Sequence, residues 1–251
     1  MVKRFIRKQL NKAGYDIIKN QPPVEWPADF DEIHKEIIKK VIPYTMTSPE
    51  RIYGLIESVR YITANKIEGA IVECGVWKGG SMLAIAESLL KSNSVSRHLF
   101  LYDTFEGMPP PSRNDISYNN KHAQTLLDEN NNKEESVIWA YSTLETVKKT
   151  MALSSYPQNK IHYIKGKVEE SIPATLPGPI ALLRLDTDWY ESTKHEMIHL
   201  YPKLVKGGVL LIDDYGFWKG ARKAIDEYIS ENKIQILLNR LDYTGRIGIK
   251  I

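Results

Sequence analysis

Leu185-Asp186-Thr187-Asp188-Trp189 and Leu210-Leu211-Ile212-Asp213-Asp214 each close an apolar run with a pair of carboxylates. The runs themselves, Ile180–Leu185 and Val209–Ile212, are short and continuous, the pattern of strands covered on both faces. A helical pattern follows each, which predicts parallel strands whose carboxyl ends share one edge of a sheet. Four carboxylates then collect at that edge. Like charges this close need a cation, and hard oxygen donors suit Mg²⁺ or a similar divalent ion that keeps positions open for water or substrate oxygens.

Working outward, further strands are expected at Ala70–Cys74, His98–Tyr102, Ile161–Ile164, Ile234–Leu238 and Arg246–Ile251, and helices at Gly80–Lys91, Leu144–Met151, Ser192–Leu200 and Ala221–Asn232. The result is an α/β domain with a seven-stranded, mostly parallel sheet and helices on both faces. Upstream, a helix is expected near Phe30 to Val41, and another from Arg51 to Asn65 with Ser48 as N-cap and Pro49 at its first position. Val2, Phe5, Ile6, Leu10 and Ile17 alternate with Lys3, Arg4, Arg7, Lys8 and Lys12. This amphipathic helix suits packing on its own domain or on a second subunit better than a membrane surface. Residues 1–42 are thus read as an N-terminal helical extension and 43–251 as the main domain. Between Gly107 and Glu135 the periodicity gives way to prolines and asparagines, predicting a mobile lid with short helical pieces.

The chain has 251 residues, 42% of them apolar, enough for one large core. Its 34 basic and 31 acidic residues leave a net charge of +3, too balanced to point to a nucleic-acid partner. No apolar stretch is long enough for a membrane span. The lone cysteine, Cys74, lies in a strand pattern and reads as a buried thiol. A cytoplasmic location is expected.

The first strand runs into Val72-Glu73-Cys74-Gly75-Val76-Trp77-Lys78-Gly79-Gly80-Ser81. Glycines at such a turn let a ligand approach the backbone, although neither the dinucleotide fingerprint nor a P-loop is present. The next strand ends at Asp103-Thr104-Phe105. A carboxylate there can accept two ribose hydroxyls, an adjoining aromatic can cover an adenine, and Glu73 can meet an ammonium group. A nucleoside with an amino-acid tail fits these groups better than a diphosphate. His195-Glu196-Met197-Ile198-His199 spells the H-E-x-x-H zinc-hydrolase pattern on an expected helix, but no continuation of that motif follows and the helix reads as a crossover. A nucleic-acid methyltransferase or cofactor-binding regulator on the same frame is disfavoured by the clustered carboxylates, which repel phosphates.

Several segments together resemble the macrocin O-methyltransferase (TylF-type) family of S-adenosylmethionine-dependent sugar O-methyltransferases. They are Tyr44 to Arg51, Val72 to Ser81, Leu101 to Met108, Lys165 to Glu170, Leu183 to Thr193, Leu211 to Tyr215 and Asp242 to Arg246. The first 40 residues fall outside them. The resemblance implies a Rossmann-like class I methyltransferase fold. It implies that Glu73, Gly75, Val76, Trp77, Gly79 and Ser81 surround the methionine part of the cofactor, that Asp103 and Thr104 meet the ribose, and that Phe105, Ser142 and Val168 approach the adenine, with Met46 and Thr47 closing one side. It further implies that Asp186, Asp213 and Asp214 hold a divalent metal and that two neighbouring hydroxyls of a glycoside complete its coordination. Asp188 is left as general base, and Trp189 and Tyr190 as walls for the sugar. The D-x-D spacing leaves open which of Asp186 and Asp188 the metal takes.

Overall fold

The computed structural model describes residues 26–130 and 132–251. The basic amphipathic helix expected over Val2 to Ile17 lies outside the described residues. The chain divides into two compact units, Met1–Asp31 and Glu32–Ile251, and every residue of the candidate site belongs to the second.

That unit is built on one seven-stranded sheet in the order β3-β2-β1-β4-β5-β7-β6. Strands β1 (Ala70–Cys74), β2 (Leu99–Asp103), β3 (Ile161–Lys165), β4 (Ile180–Leu185) and β5 (Leu204–Ile212) run parallel, and β7 (Arg246–Ile249) returns antiparallel beside β5. Every residue of the central strands β1 and β4 is buried, as their uninterrupted apolar patterns require. Val72, Leu183, Leu185, Leu210 and Ile212 join Met197 and Ile225 in the main core. Helices α1 (Glu32–Val41), α2 (Pro49–Ala64), α3 (Gly80–Lys91), α4 (Ala123–Glu129), α5 (Leu144–Met151), α6 (Val168–Ala174), α7 (Tyr190–His199) and α8 (Lys219–Glu231) complete the unit. The Ser48 hydroxyl accepts from Arg51 N at 3.2 Å and Pro49 opens α2, the expected cap. Helix α1 belongs to the same compact unit as the sheet.

One expectation needs correction. The strand expected at Ile234–Leu238 does not form; β6 is only Asn239–Arg240, paired with Ile247 and Arg246. Ile234, Ile236 and Leu238 instead pack on the core as irregular chain, so their alternation reflects burial without pairing. The segment expected as a lid contains α4, a 3₁₀ turn follows it at Val137–Trp139, and its first part bonds to the rest of the domain: Trp189 Nε1 donates to Pro109 O at 2.9 Å and Tyr118 N to Phe217 O at 2.7 Å.

The tightest packing at the working edge is at Gly75. Its φ is +83°, and a Cβ there would collide with the carbonyl of Asp186. Gly75→Ala combines a left-handed backbone with a clash against main chain, so it is expected to cost at least about 2 kcal/mol, read as a shifted urea midpoint at unchanged slope.

Candidate active site

The last ladder bonds of the sheet place the site. Gly75 N donates to Tyr102 O, Asp186 N to Cys74 O and Asp213 N to Leu185 O, each at 2.9 Å. The first residue beyond each of three adjacent parallel strands is thereby held in line with its neighbours, at the carboxyl edge where such sheets bind ligands.

One strand position earlier, Glu73 on β1 lies directly opposite Arg184 on β4. Arg184 is almost fully buried and ion-paired to Glu73, to Asp186 at 2.8 Å and to Asp213 at 2.5 Å. It also donates to Thr47 Oγ1 at 3.1 Å. Asp213 is shared with Arg51, which reaches Asp242 at 2.9 Å. A buried guanidinium is tolerable only with such partners, so one cation sets the positions of three strand ends.

On the other side of this network the carboxylates outnumber the cations. Asp186, Asp188 and Asp214 each bring an oxygen within 4.8 Å of the other two, the one such cluster found among the described residues. Asp214 faces both Asp186 and Asp188 in this cluster, so each carboxylate disfavours the charge of the others. Burial, with repulsion among the aspartates, pushes Asp186 and Asp214 well above the ordinary carboxylate range, and Asp188 up to about 7. Asp188 also takes a left-handed backbone, φ +68°, a conformation that Asp and Asn adopt more readily than most residues. Thr187, between the two aspartates, donates to the fully buried Glu196 at 2.9 Å. Hard oxygens, excess negative charge and an opening to a cavity are what a divalent cation requires, so these three residues could hold one.

That cavity, of about 320 Å³, extends from the acidic cluster to the loops after β1, β2 and β3. Asp103 stands at its other end. Backbone amides of Val76 (2.7 Å) and Trp77 (3.1 Å) donate to one carboxylate oxygen and that of Phe105 (2.6 Å) to the other. Burial raises Asp103 and these amides oppose the rise. Thr104 Oγ1 donates to Gly107 O at 2.8 Å. A carboxylate held by three amides keeps lone pairs for ligand hydroxyls, and Gly75, Val76 and Trp77 bring main chain to the wall between it and the aspartates.

A model of the macrocin O-methyltransferase (TylF) family matches residues 8–247. The chain belongs to this family. It is an S-adenosylmethionine-dependent O-methyltransferase, and its class I fold is shared with solved methyltransferases. The chain is 28% identical over 204 residues to the 8-demethyl-8-(2,3-dimethoxy-alpha-L-rhamnosyl)-tetracenomycin-C 4'-O-methyltransferase of Streptomyces olivaceus, covering 81% of this chain and 74% of the relative. It is 28% identical to the demethyldecarbamoylnovobiocin O-methyltransferase of Streptomyces niveus, over 80% and 74% of the two chains. Among solved structures, the O-methyltransferase NovP superposes with a TM-score of 0.71 at 26% identity, with 82% of each chain covered. The family match begins at residue 8, so most of the first 40 residues, which carry none of the recognised motifs, also lie within it.

Of the residues expected around the family's cofactor, Met46, Thr47, Gly75, Val76, Trp77, Ser81, Asp103, Thr104 and Val168 line the cavity, as do Asp186, Asp188, Asp213 and Asp214. Glu73, Gly79, Phe105 and Ser142 do not line it. Glu73 is buried, its Oε1 paired with Arg184 and its Oε2 without a partner among the described residues, Gly79 is the left-handed N-cap of α3, and Phe105 and Ser142 are buried. Trp189 and Tyr190 do not wall the cavity either: Trp189 packs on Trp218 with ring centroids 4.9 Å apart, and the Tyr190 hydroxyl donates to Glu227 at 2.6 Å. Phe217, Trp218, Tyr243 and Lys167 line it instead. The sequence signal for this network is Arg184, an ionisable residue inside the apolar run Leu182-Leu183-Arg184-Leu185. The H-E-x-x-H pattern dissolves on inspection: the His195 imidazole is bonded to Ile172 O at 2.6 Å, whereas Glu196 turns the other way to Thr187. Cys74 is fully buried and burial pushes its thiol up, the inert thiol expected. Among the described residues no helix is long and apolar enough to cross a membrane.

The acidic edge should be visible in the pH dependence of stability. Glu73 and Asp188 titrate near 7 in the fold, raised by burial from 4.5 and 3.8. Raised carboxylates stabilise the fold while protonated, fully below about pH 4, and that contribution is lost as pH rises through 7. Without added divalent ions, the melting temperature is expected to fall between pH 5 and pH 8, and Glu73→Gln to flatten part of the slope, as read by calorimetry.

Proposed function

We propose that this enzyme methylates a hydroxyl of a sugar within a glycosylated small molecule, with a divalent cation of the Mg²⁺ type bound at the acidic edge. The observation that carries the reading is the convergence of Asp186, Asp188 and Asp214 on the same cavity that Asp103 and Gly75 line. The activities that the relatives are named for, O-methylation of a rhamnosyl-tetracenomycin and of demethyldecarbamoylnovobiocin, support the acceptor class.

S-adenosylmethionine supplies an electrophilic methyl group. Asp103 binds the ribose hydroxyls, Gly75, Val76, Trp77 and Ser81 border the amino-acid part, and Met46, Thr47 and Val168 close the sides. A cation bound there would supply Lewis acidity to the acceptor hydroxyl. Asp186 and Asp214 would hold it, and Asp213 would complete the set, because an oxygen that accepts from an arginine retains a second lone pair. Asp188 then takes the proton of the attacking hydroxyl while Phe217 and Trp218 exclude water from the acceptor side. A second arrangement is favoured by the position of Asp188 itself: its oxygen is as near to Asp186 and Asp214 as a third ligand, in which case Asp213 remains with its arginines.

Calorimetry with S-adenosylmethionine, Mg²⁺ and a glycoside panel tests both. Cofactor binding is expected to survive Asp213→Ala, with methylation dependent on the metal; a wild type that binds no cofactor overturns the reading. Asp188→Asn is expected to bind metal and lose about 10²–10⁴-fold in kcat. Loss of metal binding in that variant, with retention in Asp213→Ala, selects the second arrangement.

A further inference from the structure

Helices α7 and α8 follow the two acidic clusters within a few residues, and neither is capped by the side chain at its own N-cap position, Trp189 and Trp218 respectively. The first amides of a helix must nonetheless find acceptors. Both find them in the lid. The Asp115 carboxylate accepts from Tyr190 N at 2.7 Å, across 75 positions of sequence, and the next residue's carbonyl, Ile116 O, accepts from Lys219 N at 2.8 Å.

Asp115 is completely buried, and its second oxygen accepts from Ser112 N at 2.6 Å. It sits against Gly220, where a Cβ would collide with its Oδ1. A negative charge at the start of a ten-residue helix also meets the positive end of the helix dipole. The turns it steadies are those that carry the aspartates: Trp189 N donates to Thr187 O at 2.8 Å, and Phe217 N and Trp218 N both donate to Asp214 O at 3.0 Å.

We propose that Asp115 is a positioning residue of the metal site: from within the lid it caps α7 and, through the adjoining Ile116, registers α8 against it, so that Asp186, Asp188 and Asp214 converge. This inference rests on the divalent-cation reading above. It makes the lid part of the catalytic frame as well as a cover for the acceptor. The roles divide by chemistry, since Asp103 and the β1 turn stand clear of Asp115 and bind the cofactor without it.

The test measures Mn²⁺ binding by electron paramagnetic resonance on protein loaded with S-adenosylhomocysteine, alongside the affinity for S-adenosylhomocysteine itself. Asp115→Ala is expected to weaken Mn²⁺ binding roughly tenfold or more, the scale of losing an outer-shell partner, with S-adenosylhomocysteine affinity within about twofold on the same reasoning that its contacts lie elsewhere. Asp115→Asn keeps an acceptor for Tyr190 N and is expected to recover most of the loss. Gly220→Ala is the second variant. Alanine inside a helix is ordinarily favourable, so weakened Mn²⁺ binding there reports displacement of Asp115. Unchanged Mn²⁺ affinity in both Asp115→Ala and Gly220→Ala, or parallel loss of both ligands, overturns the proposal and leaves the metal reading standing. A wild type that binds no Mn²⁺ overturns both.

Discussion

A single buried guanidinium organises this enzyme. Arg184 occupies a central strand where water cannot reach it, and removing such a charge from water costs several kcal/mol unless ion pairs and hydrogen bonds offset it. Its partners come from β1, from the ends of β4 and β5 and from the segment before α2. Satisfying one side chain therefore aligns three strand ends and fastens the Met46–Thr47 wall to them. The same network sorts the acidic residues. Glu73 and Asp213 are held by arginines, while Asp188 and Asp214 face one another with no ion-pair partner among the described residues, and Asp186 belongs to both groups.

The Asp103 half of the cavity follows a different logic. There the polar groups are mostly main chain: three amides fix Asp103, and the turn after β1 contributes Gly75, Val76 and Trp77 to the wall. Binding to such a surface demands little reorganisation, because the donors are already ordered by the sheet. The acidic half is held by side chains, so its geometry depends on distant partners such as Arg51 and Asp115. Gly75 joins the halves, its missing side chain allowing β1 and β4 to close to main-chain contact.

How much of this was legible depended on whether the signal was local. Strands β1 and β4 were read to the residue because burial on both faces leaves an unbroken apolar run. The edge strand β6 was misplaced because Ile234, Ile236 and Leu238 alternate for the sake of the core rather than a pairing partner. The carboxylates at the strand ends were found for the same local reason, and so was the turn at Gly75. What escaped was pairing across the sheet. Glu73 looked free to meet a ligand because its partner Arg184 lies 111 positions away, and Asp213 looked like an unencumbered ligand because Arg51 is 162 positions distant. Trp189 and Tyr190 have the right chemistry for a sugar wall, yet the lid and α8 turn both of them inward.

The left-handed turn at Asp188 carries an implication for descent. Few side chains adopt that backbone conformation cheaply, and asparagine is foremost among them. A single-nucleotide change from aspartate to asparagine would keep the turn, the cap on α7 and the entire cofactor wall while abolishing the proposed proton acceptor. Conformationally, the shortest evolutionary step from this catalyst would lead to a folded protein that keeps its ligand-binding wall but transfers methyl groups poorly, a ready ancestor for a sensor or a scaffold.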